Sequence, residues 1–192
     1  MDSDTILSIF LGVGLAASVG FRVFLPMFAL SLAAYFNIWE LNDNWAWIGT
    51  LPALVCLGVA MVLEIFAYFI PWFDNLLDSI AVPLAAIAGT AVMVSTVAGL
   101  DPMVTWTLAI IAGGGTATAI KGANATGRLA STASTGGLAN PLVSATETGA
   151  SVVVSTASIF APVIAAILVI LILALIFKIY RKLRPKKGAV NP

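Results

Sequence analysis

The chain has 192 residues, of which 60% are apolar and only 9% are charged, and its mean hydropathy is +1.06. A soluble domain usually carries about 25% charged residues. This composition therefore excludes a protein whose whole surface faces water, and it predicts an integral membrane protein. The chain has no histidine and a single cysteine, Cys56. It therefore excludes His-dependent triads, zinc sites built on histidine and internal disulfides.

The apolar segments predict an all-α, polytopic helical membrane protein with about five full spans and two broken or re-entrant helical elements. The first two segments, Thr5–Val19 and Val23–Trp39, are short and are separated by a break at Arg22. Crossing the hydrocarbon core takes about 20 apolar residues. These segments therefore form either a re-entrant hairpin or one long helix broken in the middle. In both cases the backbone at Arg22 must face protein or a wet cavity.

The next elements are marked by aromatic residues, prolines and polar loops. The loop Glu40–Asn44 is flanked by Trp39, Trp45 and Trp47, and tryptophans beside a polar loop indicate the membrane interface. The remaining predicted elements are the spans Ala46–Ile70, Ile80–Val97, Val104–Ile120 and Val152–Tyr180, the loop Pro71–Asp78 and the turn Ala98–Pro102.

The stretch Gly113–Glu147 is polar, although it lies between two long apolar blocks. It is dense in Gly, Ala, Ser and Thr, and it holds Lys121 and Arg128. Polar backbone at membrane depth is tolerated where it is buried in protein or lines a water-filled cavity. We therefore expect a pathway or a binding site here. The sequence leaves open whether the stretch is re-entrant or an external loop.

An approximate internal repeat relates Leu7–Ala16 to Leu108–Ala117. It predicts repeat halves at residues 5–70 and 104–180, joined by the span at residues 80–97. Repeats that carry paired broken helices are typical of transporters. The two copies are parallel if each break is a re-entrant hairpin, and inverted if each break belongs to one broken span.

Basic residues are concentrated after the last apolar segment. Six of the nine lie there: Lys178, Arg181, Lys182, Arg184, Lys186 and Lys187. Basic residues beside a final span mark the cytoplasmic side. We therefore predict a single transmembrane domain over residues 1–180, followed by a basic cytoplasmic tail over residues 181–192. The first ten residues carry no positive charge, which does not fit a secretory signal peptide, so we expect a retained helix there.

Three cations, Arg22, Lys121 and Arg128, lie within or beside apolar segments. On insertion scales such a residue costs at least ~2.5–3.5 kcal/mol at the bilayer centre, so we expect it to pair or to bind something. Glu64 and Glu147 are the nearby carboxylates, which leaves a positive excess and predicts an anion or phosphate site. The alternative is that Arg22 pairs with a carboxylate while the other cations extend to the interface.

Glu64 lies inside the predicted span Ala46–Ile70. A carboxylate within the membrane indicates a proton or cation relay, or an ion-pair partner for Arg22. A location near the interface, close to Pro71, is equally compatible with the sequence. Glu147 is predicted to orient an arginine or to titrate during transport.

Three motifs resemble those of a family of bacterial membrane proteins grouped as domain of unknown function 4126. They read GLAASVGFRVFLP (Gly14–Pro26), KGANATGR (Lys121–Arg128) and NPLVSATE (Asn140–Glu147). The resemblance covers most of the chain up to about Gly149, and it implies a helical membrane fold without an established activity. The chain departs from the family pattern where it has Lys121 in place of His and Asn124 in place of Lys.

The resemblance and the charges together define the predicted site. Its predicted substrate-binding residues are Arg22, Lys121, Asn124, Arg128, Asn140, Ser144 and Glu147. Glu64 and Glu147 are the predicted ion-pair or relay residues, and Pro26 and Pro141 are carried over from the motifs. No catalytic residue, metal ligand or cofactor is predicted, and an enzyme is not expected.

Three functions compete at this point. The first is a transporter or channel for a small anionic solute, with arginine-lined broken helices near the midplane. The second is a translocase of phosphate-headed lipids, and the third is a non-catalytic assembly or scaffold subunit of a membrane complex. The expected partners are membrane lipids, an anionic solute or lipid head group, and further copies of the chain, but not nucleic acid. The expected location is the bacterial inner membrane.

Overall fold

The computed structural model describes residues 2–68 and 70–183, and most of these residues lie in helices. The described part contains eight α-helices and no strand, which confirms the all-α prediction. They are α1 (Ser3–Phe21), α2 (Phe24–Tyr35), α3 (Leu51–Ala67), α4 (Pro71–Thr96), α5 (Pro102–Leu108), α6 (Gly115–Thr135), α7 (Asn140–Phe160) and α8 (Pro162–Leu183). A 3-10 segment, Asp43–Gly49, precedes α3, and a π segment, Ala109–Gly114, joins α5 to α6.

Helix α1 is the centre of the bundle, because it packs against α2, α4, α6, α7 and α8. Small residues make this possible, since they let helix backbones approach closely. A Cβ atom at Gly14 would overlap Ser158 of α7 and lie 3.1 Å from the Cβ atom of Ala165 in α8. The serines Ser18, Ser151 and Ser155 form a buried hydrogen-bonded seam between α1 and α7, with Oγ–Oγ distances of 2.7 and 2.8 Å from Ser18.

The chain reverses direction at Arg22, where α1 ends and α2 turns back along it. Leu11 and Leu15 of α1 share a buried apolar cluster with Leu30 and Ala33 of α2. The break predicted at this point is therefore confirmed, and it has the form of a helical hairpin. No such break occurs at Lys121, because α6 continues through it as regular helix.

Three helical segments are long and apolar enough to cross a membrane: Ser3–Phe21, Pro102–Thr135 and Pro162–Lys182. A fourth is obtained if the 3-10 segment and α3, which meet at an angle of 65°, are counted as one bent span. Phe24–Tyr35 and Ile80–Thr96 are shorter apolar helices. Within the described residues, the prediction is thus confirmed to the extent that three or four helices are long and apolar enough to span a membrane.

Two predictions of irregular structure are wrong. The predicted loop Pro71–Asp78 is the start of α4, because proline is favoured at the first position of a helix. The stretch Gly113–Glu147, which the sequence left open between a re-entrant segment and an external loop, is not irregular over most of its length. It is mainly a helical hairpin of α6 and α7, closed by Gly136 and Gly137, whose φ angles of +63° and +88° suit glycine.

The two ends of the bundle carry opposite charge. Asn42 and Gly99 mark the first end: the backbone N–H of Asn42 donates to the carbonyl of Ser95 at 2.9 Å, and Gly99 lies against Thr5 at the start of α1. The described acidic residues in the chain segments at this first end are Asp2, Asp4, Glu40, Asp43 and Asp101. Helix α8 runs parallel to α1 and ends in the described basic residues Lys178, Arg181 and Lys182 at the opposite end. The rest of the predicted tail, residues 184–192, lies outside the described residues.

Candidate functional site: a buried cluster of cations

Arg22 occupies the turn between α1 and α2, and its side chain is fully buried, with 0% exposure. Nε donates to Thr148 Oγ1 at 3.0 Å, and Nη2 donates to the carbonyl oxygen of Ser144 at 2.9 Å. Nη2 also donates to the hydroxyl of Ser144. Because α1 ends directly before Arg22 and α7 passes beside it, the turn directs the guanidinium into the protein rather than into lipid.

Arg128 and Glu147 form a buried, bidentate ion pair between α6 and α7. Arg128 Nε donates to Glu147 Oε1 at 3.1 Å, and Arg128 Nη2 donates to Oε2 at 2.6 Å. The same Oε2 atom lies 3.9 Å from Arg22 Nη2. Glu147 therefore lies within 4 Å of two arginines.

The ring of Tyr68 contacts all three cations of the cluster. Its centroid lies 4.1 Å from Arg22 Cζ and 4.5 Å from Arg128 Cζ, and 5.4 Å from Lys121 Nζ. A cation within about 6 Å of an aromatic ring face is attracted by the ring quadrupole, and the attraction strengthens in a desolvated site. Tyr68 thus separates two like charges while stabilising both of them.

Lys121 and Asn124 hold the C-terminal end of α1. Lys121 Nζ donates to the carbonyl oxygen of Phe21 at 3.2 Å and to the hydroxyl of Tyr68 at 3.4 Å, and Asn124 Nδ2 donates to the carbonyl oxygen of Gly20 at 3.2 Å. The last carbonyls of a helix lack partners within the helix and carry a partial negative charge. The two side chains therefore satisfy the end of α1, and this also brings Lys121 close to Arg22.

Glu64 holds the N-terminal end of α2. Its two carboxylate oxygens accept hydrogen bonds from the backbone N–H groups of Val23 and Phe24, at 2.8 and 2.9 Å. A carboxylate at a helix N-terminus satisfies unpaired donors and complements the helix dipole. Among the described contacts Glu64 makes no ion pair with Arg22 within 4.0 Å. The relay role of Glu64 stays a prediction.

Two described carboxylates, those of Glu64 and Glu147, are buried beside Arg22, Lys121 and Arg128. Within the part of the chain that the structure describes, Nη1 of Arg22 is buried without a hydrogen-bond partner. Buried polar groups are almost always hydrogen-bonded, so this donor is an unusual feature of the site.

The structure brings together most, but not all, of the predicted site residues. Arg22, Lys121, Arg128, Ser144 and Glu147 are mutually close and buried, with Asn124 beside them. Asn140 lies at the first turn of α7, where it hydrogen-bonds to Thr132 of α6 at 3.1 Å and is outside the cluster. Tyr68 is a residue of the cluster that the sequence did not predict. The only sequence signal for it is its position one helical turn after Glu64.

The cluster lies toward the basic end of the bundle. Helix α1 has 19 residues and is therefore about 28 Å long at 1.5 Å per residue, and Arg22 follows its last residue. Arg22 therefore lies about one hydrocarbon thickness from the start of α1. This distance favours a position of the cluster near the interface at the basic end rather than at the midplane.

These features define a class: a helical protein that has helices long and apolar enough to span a membrane and a buried, cation-rich polar site. A family model described as Domain of unknown function (DUF4126) matches residues 9–182. The chain belongs to this family, as its motifs suggested. Neither the curated proteins nor the solved structures contain a match to this chain.

Proposed function

We propose that the protein is a membrane transporter or channel for a small anionic solute, which binds beside Arg22 in the buried cation cluster. The observation that carries the proposal is the fully buried Arg22 whose Nη1 donors meet no described acceptor. Leaving a charged donor unpaired in a buried site costs more than the roughly 1–3 kcal/mol of a neutral group. A visiting anion would remove this cost by accepting the free hydrogen bonds.

The neighbouring groups fit this role. Lys121 has only neutral oxygens within hydrogen-bond distance, from Phe21 and Tyr68, among the described contacts. Lys121 therefore supplies the second positive charge that contacts the bound anion. Arg128 and Glu147 form an ion pair that holds α6 against α7 at the site. Ser144 accepts a hydrogen bond from Nη2 of Arg22 and so orients its guanidinium.

The arrangement of about five full spans with an internal repeat belongs to the same proposal. It is supported by the two matched glycines, Gly12 and Gly113, which both approach Met93 of α4. A Cβ atom at Gly12 would lie 3.2 Å from Met93 Cγ, and one at Gly113 would lie 2.8 Å from Met93 Cβ. Two copies placed on either side of a connecting span are expected to contact it in this paired way.

The proposal is tested by anion uptake into liposomes that contain the purified protein. Chloride, nitrate, phosphate and acetate represent halide, planar, tetrahedral and carboxylate anions. We expect uptake of at least one of them, reduced about 10- to 100-fold by Arg22→Gln, because a charge-assisted hydrogen bond contributes about 1.5–3 kcal/mol. Arg22→Lys keeps the charge but lacks the planar fork of donors, so it should also be impaired.

Lys178→Gln is the matched control, because Lys178 is an exposed cation on α8. It removes the same charge away from the cluster and should transport like the parent. No uptake of any anion, together with unchanged lipid scrambling, would contradict the proposal. Loss of a co-purifying membrane protein in Arg22→Gln, without any flux in the parent, would instead support a scaffold subunit.

A further inference from the structure

A groove opens beside the cation cluster, between α3 and α4 and over the start of α2. Its volume is about 330 Å³, which is within the size range of small-molecule sites. It is lined by Val23, Phe24, Ala60, Leu63, Glu64, Ala67, Tyr68, Leu77, Ala81 and Leu84. Apart from Glu64 and the Tyr68 hydroxyl, every lining side chain is apolar.

The groove is open to the side because α3 packs on α2 and on the 3-10 segment, whereas α4 packs on α1, the π segment and α6. Leu63 and Phe66 of α3 and Ile80 of α4 are exposed near it. These apolar side chains would face lipid in a membrane. A molecule in the bilayer could therefore enter the groove laterally without crossing water.

Tyr68 connects the groove to the cluster. The same ring lines the groove and lies over the guanidinium groups of Arg22 and Arg128. Glu64, the one carboxylate in the wall, has both oxygens occupied by the backbone N–H groups of Val23 and Phe24. The apolar groove therefore ends at the Tyr68 ring, against which lies Arg22 with its unpaired Nη1 donor.

We infer that the same site also binds the anionic head group of a bilayer lipid with an acyl chain, and that the chain lies in the groove between α3 and α4. The inference rests on the proposed anion site at Arg22 and adds a lipid ligand to it. The charge complementarity is local: the apolar part of the ligand meets the groove, and its anionic end meets Arg22 and Lys121 past the Tyr68 ring.

Three related ligands separate the two parts of such a molecule. Lysophosphatidic acid has an acyl chain and a phosphate, glycerol 3-phosphate has the phosphate alone, and a monoacylglycerol has the chain alone. Binding of each radiolabelled ligand is measured to the protein in phosphatidylcholine nanodiscs, and binding to empty nanodiscs is subtracted. We expect saturable binding of lysophosphatidic acid and no saturable binding of the monoacylglycerol.

Leu63→Trp tests the groove, because it fills the groove from a position that is 64% exposed and so tolerates a larger side chain. It should weaken binding of lysophosphatidic acid at least fivefold and leave glycerol 3-phosphate unchanged. Val59→Trp, one turn earlier on α3 and also exposed, is the control and should change neither. Arg22→Gln should weaken binding of both phosphates.

The outcomes distinguish this inference from the proposed function. If glycerol 3-phosphate binds and Leu63→Trp leaves lysophosphatidic acid binding unchanged, the anion site stands and the lipid inference is overturned. Saturable monoacylglycerol binding that equals that of lysophosphatidic acid would also overturn it, because the groove would then accept any chain. If neither phosphate binds, the anion site itself is contradicted.

Discussion

The aromatic ring of Tyr68 lies over the guanidinium of Arg22, with 4.1 Å between the ring centroid and Cζ. This contact joins the C-terminal end of α3 to the turn between α1 and α2. The same ring lies 4.5 Å from Cζ of Arg128. The site therefore depends on an aromatic side chain as much as on its ion pair.

The ring contacts predict unequal effects of two substitutions at Tyr68. Tyr68→Leu removes the ring, and each cation–π contact is worth about 0.5–2 kcal/mol. Tyr68→Phe keeps the ring and loses only the contacts of the hydroxyl. We expect Tyr68→Leu to lower the free energy of unfolding by roughly 1–2 kcal/mol more than Tyr68→Phe, measured by denaturant titration in mixed micelles. Equal losses in the two variants would contradict the stabilising role of the ring.

The ion pair predicts strong coupling between Arg128 and Glu147. Arg128→Gln leaves a buried carboxylate with one distant partner, Arg22, and should cost about 3–5 kcal/mol of the free energy of unfolding. Glu147→Gln should cost at least as much, because it leaves two arginines facing each other. In a double-mutant cycle, the double variant should lose less free energy of unfolding than the sum of the two single losses. Strict additivity would show that the two side chains do not interact.

A substitution at Glu64 tests whether this residue only caps the N-terminus of α2 or also serves as a proton or cation relay. Glu64→Gln places an amide NH₂ group against the N–H of Val23 or Phe24, and this should lower the free energy of unfolding by about 1–3 kcal/mol. If Glu64 serves only as a cap, the pH dependence of anion uptake should be the same in the variant as in the parent. A changed pH dependence with unchanged stability would instead support the relay that the sequence suggested.

The close helix contacts predict opposite effects of two Gly→Ala substitutions. At Gly89 a Cβ atom would lie 2.6 Å from Ala117 Cβ and 2.8 Å from the carbonyl oxygen of Gly113. Gly89→Ala must therefore push α4 away from α6, at a cost of about 1–3 kcal/mol. At Gly122 a Cβ atom meets nothing within 4 Å. Gly122→Ala should be neutral or stabilising by up to about 1 kcal/mol, as measured by thermal unfolding.

The opposite charges of the two ends predict the orientation in the membrane. In a Cys56→Ser background, Asn44→Cys marks the acidic end and Leu138→Cys marks the turn after α6, where Leu138 is 89% exposed. Because basic residues stay on the cytoplasmic side, an impermeant maleimide should label the first variant in intact cells and the second only after permeabilisation. The reverse pattern would show that the C-terminal end of α8 faces outward.

The cluster was largely predictable because charge in an apolar chain is rare. Arg22, Arg128 and Glu147 stand out in the sequence, and the cost of burying an unpaired charge requires that they meet each other or a ligand. The partner of Glu64 was not predictable in the same way. A carboxylate can be satisfied by backbone N–H groups as well as by arginine, and backbone donors leave no mark in a sequence.

The helical hairpin of α6 and α7 was missed for a physical reason. Gly, Ser and Thr are poor helix formers in water and usually indicate loops. Between packed membrane helices they allow close approach and hydrogen bonds across the contact, as Ser18 does with Ser151 and Ser155. Tyr68 was missed because an aromatic residue near the end of an apolar segment is also what the membrane interface favours.

The most direct test of the account is an anomalous-scattering map of the protein crystallised with bromide and, separately, with selenate, which represent a halide and a tetrahedral oxyanion. The account predicts an anomalous peak next to Nη1 of Arg22 with at least one of the two anions, at a position where bromide or a selenate oxygen accepts the Nη1 hydrogen bond, and its loss in Arg22→Gln. Maps that show no peak there with either anion, and a protein acceptor bound to Nη1 instead, would contradict it.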